Sequence, residues 1–218
     1  MKALLPLALL AGFLAMPLAA ASLQDGSGVV QEDKKEKKKP KPYELGSTVD
    51  AKLSLKDIEG KTHTFGDLRG KVVFVHFHST TCPYMGPAEP KIMKMVEDYA
   101  KKDVVILGIN ANQREIGAPP KEKGAMAEPY EALKKHVKKN KVNFPILPDH
   151  GARVADMFQA RTTPHCYVID KKGVIQYVGA LDDDPRGKKE KVTNHVADAI
   201  DALLGGKKVK TSSTKPYG

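Results

Sequence analysis

Hydrophobic positions in this chain come in short, nearly unbroken runs, separated by polar stretches rich in glycine, proline and lysine. The run Val72-Val73-Phe74-Val75-His76-Phe77 is β-branched and aromatic, which predicts a strand packed on both faces. Asp103 to Ile109, with Val104-Val105-Ile106-Leu107 at its heart, predicts a second buried strand, and Val142 to Leu147 a shorter one. Two hairpins are predicted, Ala51 to Leu55 with Thr62 to Phe65, and His165 to Asp170 with Val174 to Val178. The second turns at Lys171-Lys172-Gly173, where the glycine is free to take a positive φ. Helical spacing of Ile92, Val96, Tyr99 and Ala100 predicts a helix after Cys82, running to about Lys102 and kinked in its first half by Pro87 and Pro90. Further helices are predicted over Tyr130 to Asn140, Ala152 to Ala160 and about Glu190 to Leu204. The last carries Val192, Val196, Ile200 and Leu203 on one face and stops at Gly205-Gly206. Asn110 to Gly124 reads as a loop. Strands joined through helices, then a hairpin and a final helix, predict an α/β fold with a central mixed sheet and helices on both faces.

The two ends differ from this pattern. Residues 1–21 have a charged start, an apolar core and small residues at Ala19-Ala20-Ala21, the layout of a secretory signal peptide. Pro6, Gly12 and Pro17 interrupt the apolar run and no stop-transfer pattern follows, so no stable membrane span is expected after cleavage. The mature chain is then exported, periplasmic or otherwise extracytoplasmic. Residues 22–42 are a lysine-rich linker with almost nothing apolar to bury, expected to be disordered. Order is expected to begin near Tyr43, with one domain over 43–206 and a polar, loosely held tail over 207–218. The formal charge of +10 drops to +9 when Lys2 leaves with the signal. The lysines are spread along helices and tails without an aromatic-basic stripe, so they read as solvated surface and nucleic acid is not an expected partner.

Chemistry concentrates where the first buried strand ends. Pro83 suits a first helical position, which sets Cys82 at or beside the N-cap. Free backbone N–H groups and the helix dipole would there stabilise a thiolate, making Cys82 the candidate nucleophile. Ser79, Thr80 and Thr81 are placed to hydrogen-bond the sulfur or its substrate, or are plain loop polarity. Arg161, ahead of Thr163-Pro164, is a candidate source of positive charge. Cys166, the other cysteine, is either a resolving thiol or a small core residue in a buried strand. A second reading groups His78, Met85 and His165 around Cys82 as soft ligands for Cu(I), with His76 and His78 on one face of their strand.

The order and spacing of several motifs carry a resemblance. These are Gly70-Lys71-Val72-Val73, Cys82-Pro83 with Pro90 beyond it, and Thr163-Pro164 ahead of Tyr167-Val168-Ile169-Asp170. Gly173-Val174-Ile175 follows, then Gly179-Ala180-Leu181-Asp182-Asp183 through Ala202-Leu203-Leu204-Gly205-Gly206-Lys207. From Tyr43 to about Leu204 the chain resembles the thioredoxin-like fold in its redoxin branch, which includes AhpC/TSA, peroxiredoxin-like and exported TlpA-like proteins. The resemblance implies a cis Pro164 lying against Cys82. It implies a thiol-dependent oxidoreductase that reduces peroxides or disulfides, needs no cofactor, and meets an external thiol reductant or a disulfide-bearing protein. The chain departs from the family in three places. Met85 stands where a second cysteine of Cys-x-x-Cys would be, so exchange within the motif is not available. Ser79 fits the hydroxyl position of the peroxiredoxin motif, but Val75 occupies its proline position. The tail Lys215-Pro216-Tyr217-Gly218 carries no further cysteine. A copper-binding or a non-catalytic thioredoxin-fold module are the alternatives.

Overall fold

A computed structural model describes residues 41–120 and 129–218. Its centre is a five-stranded sheet in the order β5-β4-β3-β6-β7. The strands are β3 (Val72–Phe77), β4 (Val104–Asn110), β5 (Ile146–Pro148), β6 (His165–Ile169) and β7 (Ile175–Gly179). β3, β4 and β5 are parallel, while β6 runs antiparallel to β3 and β7 antiparallel to β6. A small hairpin, β1 (Ser54–Lys56) and β2 (Thr62–Thr64), stands apart from the main sheet. The mixed sheet expected from the sequence is therefore present.

Alternation along β3 divides the core in two. Val72 and Phe74 face Ile92 and Met95 of α1 (Met85–Asp98), Leu133 of α3 (Glu131–Asn140) and Val196 and Ile200 of α5 (His195–Leu204). Val73, Val75 and Phe77 face Val154 and Phe158 of α4 (Arg153–Phe158), together with Phe65 and Tyr167. Each such side chain, fully buried, contributes about 1.5–3 kcal/mol. Every residue of β3 is buried, which is why its sequence shows no polar alternation. Gly108 of β4 lets His76 and Phe144 close in, since a Cβ there would stand 3.1 Å from atoms of both rings.

Several boundaries differ from the pattern-based expectation. α1 begins at Met85, with Tyr84 at its N-cap, so Cys82 is not the cap and Pro83 is not the first helical residue. Proline disfavours the helical region for the residue before it, which holds Cys82 out of the helix. A tight turn, Met85 N–H to the Cys82 carbonyl at 3.0 Å, leads into α1 instead. The helix runs on through both prolines: Pro87 lies in the first turn, where its missing N–H has no intrahelical partner, while Pro90 lies inside the helix at the cost of one intrahelical bond. A short helix, α2 (Gln113–Ile116), interrupts the expected loop. The region 142–147 yields only the strand β5. α5 begins at His195 because the Asn194 side chain caps the Ala197 N–H at 2.9 Å, which leaves Val192 outside the helix and exposed.

The tail is the largest correction. Residues expected to be loose run beside β7, with a bridge between Ser213 and Val178. Thr214 Oγ1 lies 2.6 Å from the Tyr177 hydroxyl and accepts from the Ala180 N–H at 2.9 Å. Tyr217 donates to Asp182 at 3.0 Å. The polar residues that suggested disorder are those that satisfy these partners. The signal-peptide and linker expectations, apart from residues 41 and 42, lie outside the described residues.

Candidate functional site

Cys82 sits half-buried between the end of β3 and the start of α1, packed against the α1 side of the core. Its thiol donates to the Thr163 carbonyl at 2.9 Å, across 81 positions of sequence. The Thr163–Pro164 peptide bond is cis and Pro164 is buried. Cys82 thus faces the proline loop, as the resemblance implies. Cys82 also lines a cavity of about 540 Å³, together with Met85, Glu89, Met93 and His136. Tyr84 brings its ring to 6.0 Å from that of Tyr217, so the tail passes beside the thiol's loop.

The three hydroxyl residues ahead of Cys82 bond elsewhere. Ser79 Oγ and Thr81 Oγ1 both donate to Glu115 Oε1 at 2.6 Å. The backbone N–H groups of Thr80 and Thr81 donate to the same carboxylate at 2.8 and 3.0 Å. Asn110 and Asn112 add their side-chain amides at 2.7 and 3.0 Å. Burial raises the Glu115 pKa, but the bonds from Ser79, Thr81, Asn110 and Thr80 outweigh it and bring it down to about 2. Glu115 is the anchor of the Cys82 loop, and pattern reading missed it. The available signal was Asn112 with Glu115 three positions on, an N-terminal helix signature inside an apparent loop.

Arg161 is exposed and lines a second cavity, of about 250 Å³, with Ser79, Asn112 and Thr163. Cys166 is free and fully buried, and burial first, then Asp182, pushes its thiol well above the ordinary pKa. It occupies the core position that the sequence allowed for it.

The copper set does not assemble. His165 pairs with Phe77 in the β3–β6 register, which turns it to the α4 face. There it stacks on Tyr167 at 4.8 Å, and burial lowers its pKa to about 4. His76 and His78 do lie together on the other face, their rings 5.9 Å apart and both against Phe144. His76 is wholly buried with neither ring nitrogen hydrogen-bonded, which holds it neutral.

His78 instead meets residues outside the expected set. Its Nε2 is 3.0 Å from Glu89 Oε2 of α1, and His136 Nε2 of α3 is 2.7 Å from the same oxygen. Burial opposes the Glu89 charge, but hydrogen bonds from His78 and His136 outweigh it and its pKa falls below the ordinary value. The signal was Glu89 itself, an acid at helical spacing among the buried Met85, Ala88 and Ile92.

Residues 48–178 match the AhpC/TSA family. Among curated proteins, the thiol-disulfide oxidoreductase ResA of Halalkalibacterium halodurans is 29% identical over 121 residues, 56% of this chain and 60% of that protein. ResA of Geobacillus thermodenitrificans is 28% identical over 134 residues, 62% of this chain and 68% of that protein. This chain spans about three fifths of the length of the first of these relatives. Among solved structures, a hypothetical protein from Sinorhizobium meliloti 1021 aligns with a TM-score of 0.68 and 27% identity, over 81% of this chain and 92% of that one. An uncharacterized conserved protein from Geobacillus kaustophilus aligns with a TM-score of 0.65 and 24% identity, over 81% and 95%, and shares the fold.

Proposed function

The chain belongs to the AhpC/TSA family, in the thioredoxin fold, and we propose that it is an exported thiol–disulfide oxidoreductase with Cys82 as its single nucleophile. The observation that carries this reading is the half-buried Cys82, its thiol 2.9 Å from the Thr163 carbonyl and the residue lining a cavity. A disulfide substrate is favoured over a peroxide because Val75 replaces the proline of the peroxiredoxin motif. The ResA proteins, which carry that activity in their name, are distant relatives that support the same choice. Export rests on the first 21 residues of the sequence.

The thiol first gives up its proton to solvent. The Cys82 thiolate then attacks one sulfur of a partner disulfide. A new bond joins Cys82 to that sulfur, the old S–S bond breaks, and the departing thiolate takes a proton from water. A thiol from an external reductant, as its thiolate, attacks the Cys82 sulfur of this mixed disulfide and releases the partner's second thiol, and a second reductant thiolate then displaces the first from Cys82 as the reductant's own disulfide. One disulfide is thereby exchanged for another, with Cys82 regenerated. Met85 in the second motif position, and a buried Cys166 with a raised pKa, make the external thiol the resolving group. Glu115, through Ser79, Thr80 and Thr81, is a positioning residue that fixes the loop holding the nucleophile.

The test is insulin reduction with dithiothreitol or glutathione as the electron source, with mass spectrometry of the trapped mixed disulfide. Cys82→Ser should bring the rate to the uncatalysed background and leave no adduct, while Cys166→Ser keeps both. Equal rates for wild type and Cys82→Ser would overturn the reading. Faster consumption of hydrogen peroxide than of disulfide, lost in Cys82→Ser, would move the substrate to peroxides.

A further inference from the structure

Three elements far apart in sequence converge behind the Cys82 cavity. The residue just after β3 is His78, the second turn of α1 supplies Glu89 and the second turn of α3 supplies His136. Among the described residues these form a group whose ligand atoms all lie within 4.8 Å of one another. The two nitrogen–oxygen distances are 3.0 and 2.7 Å. Three donors each about 2.0–2.2 Å from a tetrahedral ion stand about 3.4 Å apart, so an ion needs only small side-chain shifts here. Asn140, one turn beyond His136, donates to Glu89 Oε1 at 3.3 Å and lies 3.2 Å from the His136 ring nitrogens. It orients the carboxylate from outside, as supporting residues do around metal ligands.

We propose that His78, Glu89 and His136 form a binding site for a divalent cation of the zinc class. Two imidazoles and one carboxylate are a borderline donor set, suited to zinc rather than to magnesium or calcium, which prefer oxygen alone. His78 is almost fully buried and closes the inner side, while Glu89 and His136 line the cavity that Cys82 also lines. The bound ion therefore keeps one coordination position open toward that cavity, the arrangement that admits water or another ligand. The site holds its ion through these three side chains and does not depend on the chemistry of Cys82.

The experiment uses the whole mature chain, stripped with a chelator and dialysed against Zn²⁺ at neutral pH. Bound zinc is measured by elemental analysis and the melting temperature by calorimetry. Wild type should take up about one equivalent and melt at a higher temperature with zinc than without. His136→Ala and Glu89→Gln should each weaken uptake about 100-fold or more and abolish the zinc-dependent rise in melting temperature, since each deletes a direct ligand. Cys82→Ser should bind as wild type does, which separates this site from the proposed redox reaction. Circular dichroism of the zinc-free variants establishes that they are folded, and His136→Asn serves if His136→Ala is not. No uptake by wild type, or uptake unchanged in a folded His136 or Glu89 variant, would overturn the proposal. So would uptake that disappears in His63→Ala, which would trace the ion to the unrelated His63–Asp57 pair.

Discussion

Glu115 and Glu89 both lie close to the loop that carries Cys82, and their hydrogen bonding differs in kind. Glu115 is surrounded by hydroxyls, amides and backbone N–H groups, none of which titrates near neutral pH. Its charge is fixed and its lone pairs are used up, so it can only hold structure in place. Glu89 shares one oxygen between two imidazoles, whose protons are exchangeable and whose nitrogens are metal ligands in their own right. The same residue type thus serves as a strut where its donors are permanent and as part of a binding site where they are not.

The largest effect should come from removing the strut. Glu115→Ala strands two backbone N–H groups and several side-chain donors, and should lower the unfolding free energy by about 3 kcal/mol in urea titrations. If it costs less than Glu89→Ala in the metal-free protein, the contrast fails.

Next in size is the pH dependence. The Glu115 pKa falls from its ordinary 4.5 to about 2 on folding. An acid whose folded value is depressed stabilises above the unfolded value and loses that contribution as pH drops through the folded one. At face value this is about 3 kcal/mol, and about 2 kcal/mol after allowing for partial exposure, lost between pH 4.5 and 2. Unfolding measured at pH 5 and at pH 2.5 should show the loss, and Glu115→Gln should reduce it. An unchanged slope in Glu115→Gln would show that other carboxylates carry it.

Glu89→Gln, without zinc, should cost about 1 kcal/mol, because the amide oxygen still accepts from one imidazole. His136→Ala should cost least, under about 1 kcal/mol, since the residue is partly exposed on a surface helix. A metal-free His136→Ala that is destabilised as much as Glu115→Ala would make the cluster a structural element rather than a binding one.

Local pattern carried the sheet well. The span of β3 was readable because Val72 to Phe77 needs no partner to declare itself, and Gly173 marked the β6–β7 turn by conformation alone. Cys82 and the Thr163-Pro164 loop were readable because sequence motifs announce them. What pattern could not supply was pairing across long separations. Glu115 meets Ser79 across 36 positions and Glu89 meets His136 across 47, and neither distance leaves a period in the sequence. His165 was misplaced for the opposite reason. Nearness to Pro164 in sequence suggested nearness to His78, whereas strand register sent its side chain through to the far face.

The bracing of the tail has a practical consequence for handling this protein. Gly218 lies so close to the proline loop that a Cβ on it would come within 2.9 Å of the backbone of Thr163, whose carbonyl receives the Cys82 thiol. Anything joined after Gly218, whether an affinity tag or a fluorescent reporter, emerges beside the loop that receives the Cys82 thiol. Labels meant to be silent belong elsewhere, and a probe meant to sense that loop has a ready attachment point.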